Sequence, residues 1–148
     1  MPIEPNEQQL AEIVGRAGSE ADAPVVMLNL NRYRERSEYE GEVPDGLPAD
    51  VPGQEAYMRY GVVALAVLER VGGKVLWQAE SRLTVVGEET DRYDEVVAVW
   101  YPSLAAFVAL ATDPEILAAR AHRVAGLERA ALICCESGAE PVLVAPEP

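Results

Sequence analysis

Glu95-Val96-Val97-Ala98-Val99-Trp100-Tyr101-Pro102 decides the fold. Valine, tryptophan and tyrosine favour the pleated backbone, and nothing interrupts them before Pro102, so the run reads as a strand. Successive side chains on a strand point to opposite faces. The apolar residues from Val96 to Trp100 are continuous, so a sheet built on this strand is too apolar to face water on either side.

Working outward, residues 87–93 are a charged turn, and residues 74–86 read as a long strand carrying Val75, Trp77, Leu83 and Val85. Gly72-Gly73 closes a helix over residues 54–71, with Tyr57, Tyr60, Ala64, Val67, Leu68 and Val71 on one face. Residues 34–53 hold Pro44, Pro48, Pro52, Gly41, Gly46 and Gly53 and keep no period. A loop that long in a compact domain is either a functional lid or disordered. Pro24 precedes a strand over residues 25–33, and Asn6 caps a short helix within residues 6–18. In the other direction, Ser103 caps a helix over residues 104–111, and Asp113-Pro114-Glu115 restarts one that runs to about Ala125. Residues 129–136 form the last strand, and residues 137–148 are a tail that packs as an arm or frays.

The order is strand, helix, strand, strand, helix, strand, the split βαβ arrangement of ferredoxin-like α+β folds. Its antiparallel sheet carries helices on one face only. A second copy covering the bare face, sheet to sheet, would give a dimeric α+β barrel around a cavity. The expected organisation is a single domain over residues 1–148, with a core of 24–136.

Composition narrows the function. Lys and Arg number 12 against 25 Asp and Glu, a formal net charge of −13. Nucleic acids and anionic membranes are bound by neutralising phosphates with Lys and Arg, so neither is an expected partner. Residues 1–6 have no basic patch or apolar run, and no stretch reaches the roughly 18 apolar residues of a membrane span. Cys134 and Cys135 are adjacent and read as small buried hydrophobes in a reducing compartment. The expected location is the cytoplasm. GxGxxG, Walker and GxSxG motifs are absent, and no cofactor is expected.

The ordered set of the strand 25–30, Tyr57 and Tyr60, Gly72-Gly73-Lys74, the strand 96–101 with Pro102-Ser103, and Asp113-Pro114-Glu115 followed by Arg123 resembles a known family. It is the domain of unknown function 1330 family, within the dimeric α+β barrel superfamily. The resemblance covers residues 24–136. The N-terminal helix, the loop 34–53 and the tail depart from short members. The resemblance implies the barrel dimer but no agreed reaction. The wider superfamily includes cofactor-free monooxygenases, isomerases, polyketide cyclases and haem-handling enzymes.

Several side chains are candidates for chemistry. Asn29 alternates with Leu28 and Leu30, as does Asn31. With the leucines facing the helices, the asparagines would face the barrel interior, as ligand posts or as structural contacts. Tyr57 and Tyr60 offer an apolar body with a polar tip to a pocket wall or a core rim. Arg123 lies at the edge of a stripe of Ile116, Leu117, Ala121 and Val124, with Arg120 nearer its middle. It would anchor a carboxylate or enolate, or pair with an internal acid on the first helix or a strand. His122, the only histidine, could be a general base, but falls opposite the stripe, at a surface or dimer contact. Trp100, with Trp77, would line a cavity for flat ligands or fill the core. Asp91 and Asp94 read as residues of a solvated turn. Two functions follow. One is a cofactor-independent protein or enzyme acting on an apolar or aromatic ligand held by Asn29, Tyr57, Tyr60, Trp100 and Arg123, with Tyr60, Arg123 and His122 as catalytic candidates. The other is a non-catalytic binding or structural homodimer.

Overall fold

The computed structural model describes residues 3–136. Eight elements follow one another: α1 (Glu7–Arg16), β1 (Val25–Tyr33), α2 (Gly53–Arg70), β2 (Lys74–Glu80), β3 (Glu95–Tyr101), α3 (Leu104–Ala111), α4 (Pro114–Gly126) and β4 (Leu127–Glu136). Two single 3₁₀ turns, Pro44–Gly46 and Glu89–Asp91, sit in the connections. The four strands form one antiparallel sheet in the order β2-β3-β1-β4. This is the ferredoxin-like α+β arrangement, with the two central strands β1 and β3 contributed by different halves of the chain.

Val25 and Met27 of β1 and Val99 and Tyr101 of β3 point to the helices, where they meet Val67, Leu68, Leu104, Leu110 and Ile116 in the main core. Register carries that face along the strands: Val25 pairs with Tyr101, Met27 with Val99, Asn29 with Val97 and Asn31 with Glu95. Asn29 and Asn31 therefore lie on the helix side, while Leu28 and Leu30 lie on the open side. This reverses the expectation from the sequence. Alternation fixes that the two sets part, but the large apolar residues at both ends of the strand decide which set goes inward.

β2 ends at Glu80 rather than extending to residue 86. A strand lasts as long as it has a partner, and β3 begins at Glu95, opposite Glu80. Leu83, Val85 and Val86 are consequently exposed. β4 begins two residues early, because Leu127 pairs with Tyr33 past a bulge.

The segment 34–53 is a packed loop. Arg34 N–H donates to Gly126 O at 2.8 Å, Glu38 N–H to Ala125 O at 3.0 Å and Ser37 N–H to Val51 O at 2.7 Å. Val51 is buried with Ala56 of α2 and Ala125 of α4, against Tyr39. The loop therefore covers the face of α4 that carries His122, which is 4% exposed and not on the surface. The buried side of α4 is Ile116, Ala119, His122, Ala125 and Gly126, while Leu117 and Arg120 are exposed. Cys134 and Cys135 are both exposed, in place of the expected burial, because β4 is an edge strand and its last five residues lie uncovered. The expected tail 137–148 lies outside the described residues. Among the described residues no helix is long and apolar enough to cross a membrane.

Candidate functional site

A polar cluster sits between the sheet and α2. Its floor is the far end of the inward face of β1 and β3, where Asn29, Asn31, Tyr33 and Glu95 replace the apolar residues of the near end. Its roof is Tyr57 and Tyr60, three residues apart on α2 and so on one face. The rings of Tyr33 and Tyr57 are 5.3 Å apart, and those of Tyr57 and Tyr60 5.7 Å apart, both tilted.

Glu95 is the acceptor that organises the floor. Tyr33 Oη donates to its Oε1 at 2.6 Å, and Gln78 Nε2 donates to its Oε2 at 2.6 Å. Both bonds are short and charge-assisted. Asp94 fixes the same corner, accepting from the Tyr33 N–H at 2.8 Å. It is thus a structural acceptor rather than a solvated turn residue. Asp91 accepts from the Glu88 N–H at 2.8 Å, closing its own turn. Asn29 Nδ2 donates to Met27 O at 3.2 Å and Val97 O at 3.3 Å. Asn31 is 3% exposed, and its side chain interacts by hydrogen bonding with the hydroxyls of Tyr33 and Tyr57, favouring their ionised forms, although its Nδ2 makes no bond of good geometry.

Burial raises the pKa of all the phenols here. Tyr33 is pushed above the usual range by burial and by the Glu95 carboxylate. Tyr57 is raised by burial and Tyr60, against Arg123, and Tyr60 by burial, again against Arg123. Tyr101, at the near end, is raised by burial and by its neighbours Tyr60 and Tyr57. These phenols are therefore hydrogen-bond donors at neutral pH, not bases.

Arg123 enters from α4. Its Nη1 donates to Ile3 O at 2.7 Å and to Glu4 Oε1 at 3.2 Å, while Arg120 reaches Glu4 Oε2 at 3.1 Å. The acid that pairs with it is thus neither internal nor on the first helix or a strand: Glu4 is exposed and belongs to the segment ahead of α1. His122 faces the loop instead, with Nδ1 2.6 Å from Tyr39 Oη and the rings edge to face at 5.6 Å. Trp100 points to the open side of the sheet, opposite Val26 and under the Lys74 ammonium, 5.3 Å from its ring centroid. The fold therefore gathers Tyr57, Tyr60, Arg123 and Asn29 at one site, and places Trp100 and His122 elsewhere.

Tyr33, Glu95, Gln78 and Asn31 complete the site. One signal for Glu95 was present: a lone acid in register with Val97 and Val99 in an otherwise apolar strand. Tyr33 also borders an open cleft of about 560 Å³, lined by Arg34, Glu35, Pro52, Gln54, Glu80, Ser81, Arg82 and Asp94. Among the described residues, no group of three or more His, Cys, Asp or Glu side chains is arranged to hold a metal ion.

No functionally curated protein matches the chain. Among solved structures, it is similar to RPA0582, a protein of unknown function from Rhodopseudomonas palustris, with 35% identity and a TM-score of 0.78 over 94% of this chain and 98% of that one. The methylated form of the same protein gives the same identity and TM-score over 98% of both chains. A dimeric protein of unknown function and ferredoxin-like fold from Bacteroides fragilis is more distant, with 15% identity and a TM-score of 0.44 over 77% of this chain and 96% of that one. The family described as domain of unknown function (DUF1330) matches residues 48–136, from the end of the long loop to the end of β4, leaving β1 outside the match. The chain belongs to the DUF1330 family.

Proposed function

We propose that the chain is a homodimeric small-molecule-binding protein whose ligand lies between the sheet and α2, against Tyr57 and Tyr60. The observation that carries this reading is the gathering of polar tips between sheet and helix, where the buried amide of Asn31 meets the hydroxyls of Tyr33 and Tyr57 without a bond of good geometry, an arrangement that a ligand acceptor would complete. Asn31, Tyr57 and Tyr60 offer donors beside aromatic walls, which suits an oxygen-bearing apolar or aromatic compound. The raised phenol pKa values keep both hydroxyls protonated at neutral pH, as hydrogen-bond donors to a ligand.

Dimerisation through the open sheet face is supported by its chemistry. Leu28, Leu30 and Val96 lie half-buried about its centre, around the buried Ala98, and Trp77 and Ile133 are 43% and 49% exposed at its sides. Large apolar side chains left exposed on one face support an interaction site there.

The test is native mass spectrometry of freshly purified protein, with denaturing analysis of whatever is released. A dimer carrying a small molecule is expected, and Trp77→Asp with Ile133→Asp should shift the mass to a monomer. A ligand whose affinity is indifferent to both Tyr60→Phe and Arg123→Ala would place binding elsewhere. The second reading, a structural dimer without ligand, is favoured by one observation, the pairing of Arg123 with Glu4. An empty protein, with no compound stabilising it in a thermal screen, would favour that reading.

A further inference from the structure

Arg120 and Arg123 are one helical turn apart on α4, and they converge on a single carboxylate. Arg120 holds one oxygen of Glu4 at 3.1 Å and Arg123 the other at 3.2 Å. Arg123 is the inner of the two, 20% exposed at its side chain, and its charge is felt by both Tyr57 and Tyr60. Two guanidinium groups on the two oxygens of one carboxylate are a built carboxylate receptor at the rim of an aromatic wall.

The group that fills it is loosely held. Glu4 precedes α1 in an irregular segment, and α1 buries none of its ten residues. Glu4 is held by an exposed pair to Arg120, of a class that contributes little in water, and a partly buried pair to Arg123, whose Nη1 also donates to Ile3 O at 2.7 Å. A tethered group of this kind competes by its high local concentration rather than by intrinsic affinity. A soluble carboxylate could therefore exchange with it at small cost.

We propose that Arg120 and Arg123 receive the carboxylate of a small aromatic or apolar acid whose body lies against Tyr60, and that Glu4 is a tethered competitor that keeps the receptor closed. This inference rests on the reading that the tyrosine cluster is a ligand site. It narrows the ligand class to organic acids and makes the N-terminal segment a regulator of access.

The test titrates the full-length protein and its Glu4→Gln variant with benzoate, and separately with uncharged benzyl alcohol, following amide shifts by NMR. Benzoate should bind the Glu4→Gln protein about two- to fivefold more tightly, the worth of one exposed ion pair. The gain should vanish when Arg120→Gln is added, and benzyl alcohol should gain nothing. Equal benzoate affinity with and without Glu4 would overturn the competitor. A gain shared by benzyl alcohol would show mere steric opening and also overturn it. Shifts at Tyr57 and Tyr60 with benzyl alcohol but not benzoate would sink the acid receptor and leave the ligand site standing. No shift there with either compound in either protein would remove both.

Discussion

The phenol oxygen of Tyr39 lies 2.6 Å from Nδ1 of His122, joining the long loop to α4 across 83 positions of sequence. Arg59 Nη1 donates to the same oxygen at 3.0 Å, which leaves the phenol proton free to point at Nδ1 of a neutral imidazole. Burial, then the Arg59 charge, lower its pKa below the usual histidine range, with Asp45 opposing. The stability this contributes is complete above the unfolded pKa of about 6.5 and is lost as pH falls towards the lower folded value. Urea unfolding at pH 7.5 and 5.5 should show a smaller free energy at the lower pH. Tyr39→Phe, which removes the hydroxyl, should cost about 1–3 kcal/mol at pH 7.5. A pH-independent free energy in the unsubstituted protein would contradict the assignment.

Alkaline pH should act through the tyrosine cluster. Tyr33, Tyr57, Tyr60 and Tyr101 all have raised folded pKa values, chiefly through burial. The unfolded chain then loses protons first, so stability is full below about pH 10 and falls as pH rises beyond it. Tyrosinate absorbance from these four should appear together with loss of secondary structure. Ionisation of all four in a still-folded protein would mean that the cluster is open to water.

The crossing of α2 and α4 depends on two glycines. A Cβ on Gly126 would run into Gly53 O and lie 2.8 Å from Tyr57 N, all backbone that cannot swing aside. Gly126→Ala should therefore destabilise by about 2–4 kcal/mol, the range of a severe core defect, and loosen the Tyr57–Tyr60 roof with it. Gly61, whose Cβ would meet nothing, is the control: Gly61→Ala should be neutral or slightly stabilising. Denaturation midpoints of the two variants decide the matter.

Asp22 caps α3 from a distance. Its carboxylate accepts from Leu104 N–H at 2.6 Å, Ala105 N–H at 3.1 Å and Gly18 N–H at 2.8 Å. Partial burial works to raise its pKa, but these bonds and one from Ala23 outweigh it and hold the group below the usual value. Its contribution is thus present above about pH 4 and lost as pH falls further. Asp22→Ala should cost about 1–2 kcal/mol at neutral pH, and the deficit should shrink in acid. A constant deficit down to pH 2.5 would point to packing rather than to the cap.

What the sequence made legible was whatever its own punctuation marked. Pro24, Pro102 and Ser103 bracket β1, β3 and α3, and those bounds agree with the structure. The end of β2 was not legible, because it is set by where β3 starts, not by residues 81–86. The same holds for the faces of β1. Alternation is symmetric, and burial of Asn29 and Asn31 in preference to Leu28 and Leu30 follows from Val25 and Met27 entering the core. His122 looked exposed because its own helix gave no sign that a loop 83 positions away would cover it. Tyr57, Tyr60 and Arg123 were named, yet the partner of Arg123 could have been any of 25 acids.

The first and last strands of the sheet lie side by side, and Val25 sits directly opposite Glu136. Directly opposed antiparallel residues are only about 5 Å apart. The two ends of the folded core are therefore neighbours, although 111 positions separate them in the chain. A short linker could join them, and new ends could be opened in the exposed segment around Val85 and Val86 without cutting a strand. Such a rewired chain would keep every ladder of the sheet while reversing the order in which its halves leave the ribosome. The architecture thus sets the arrangement of the strands in space without depending on where the chain begins.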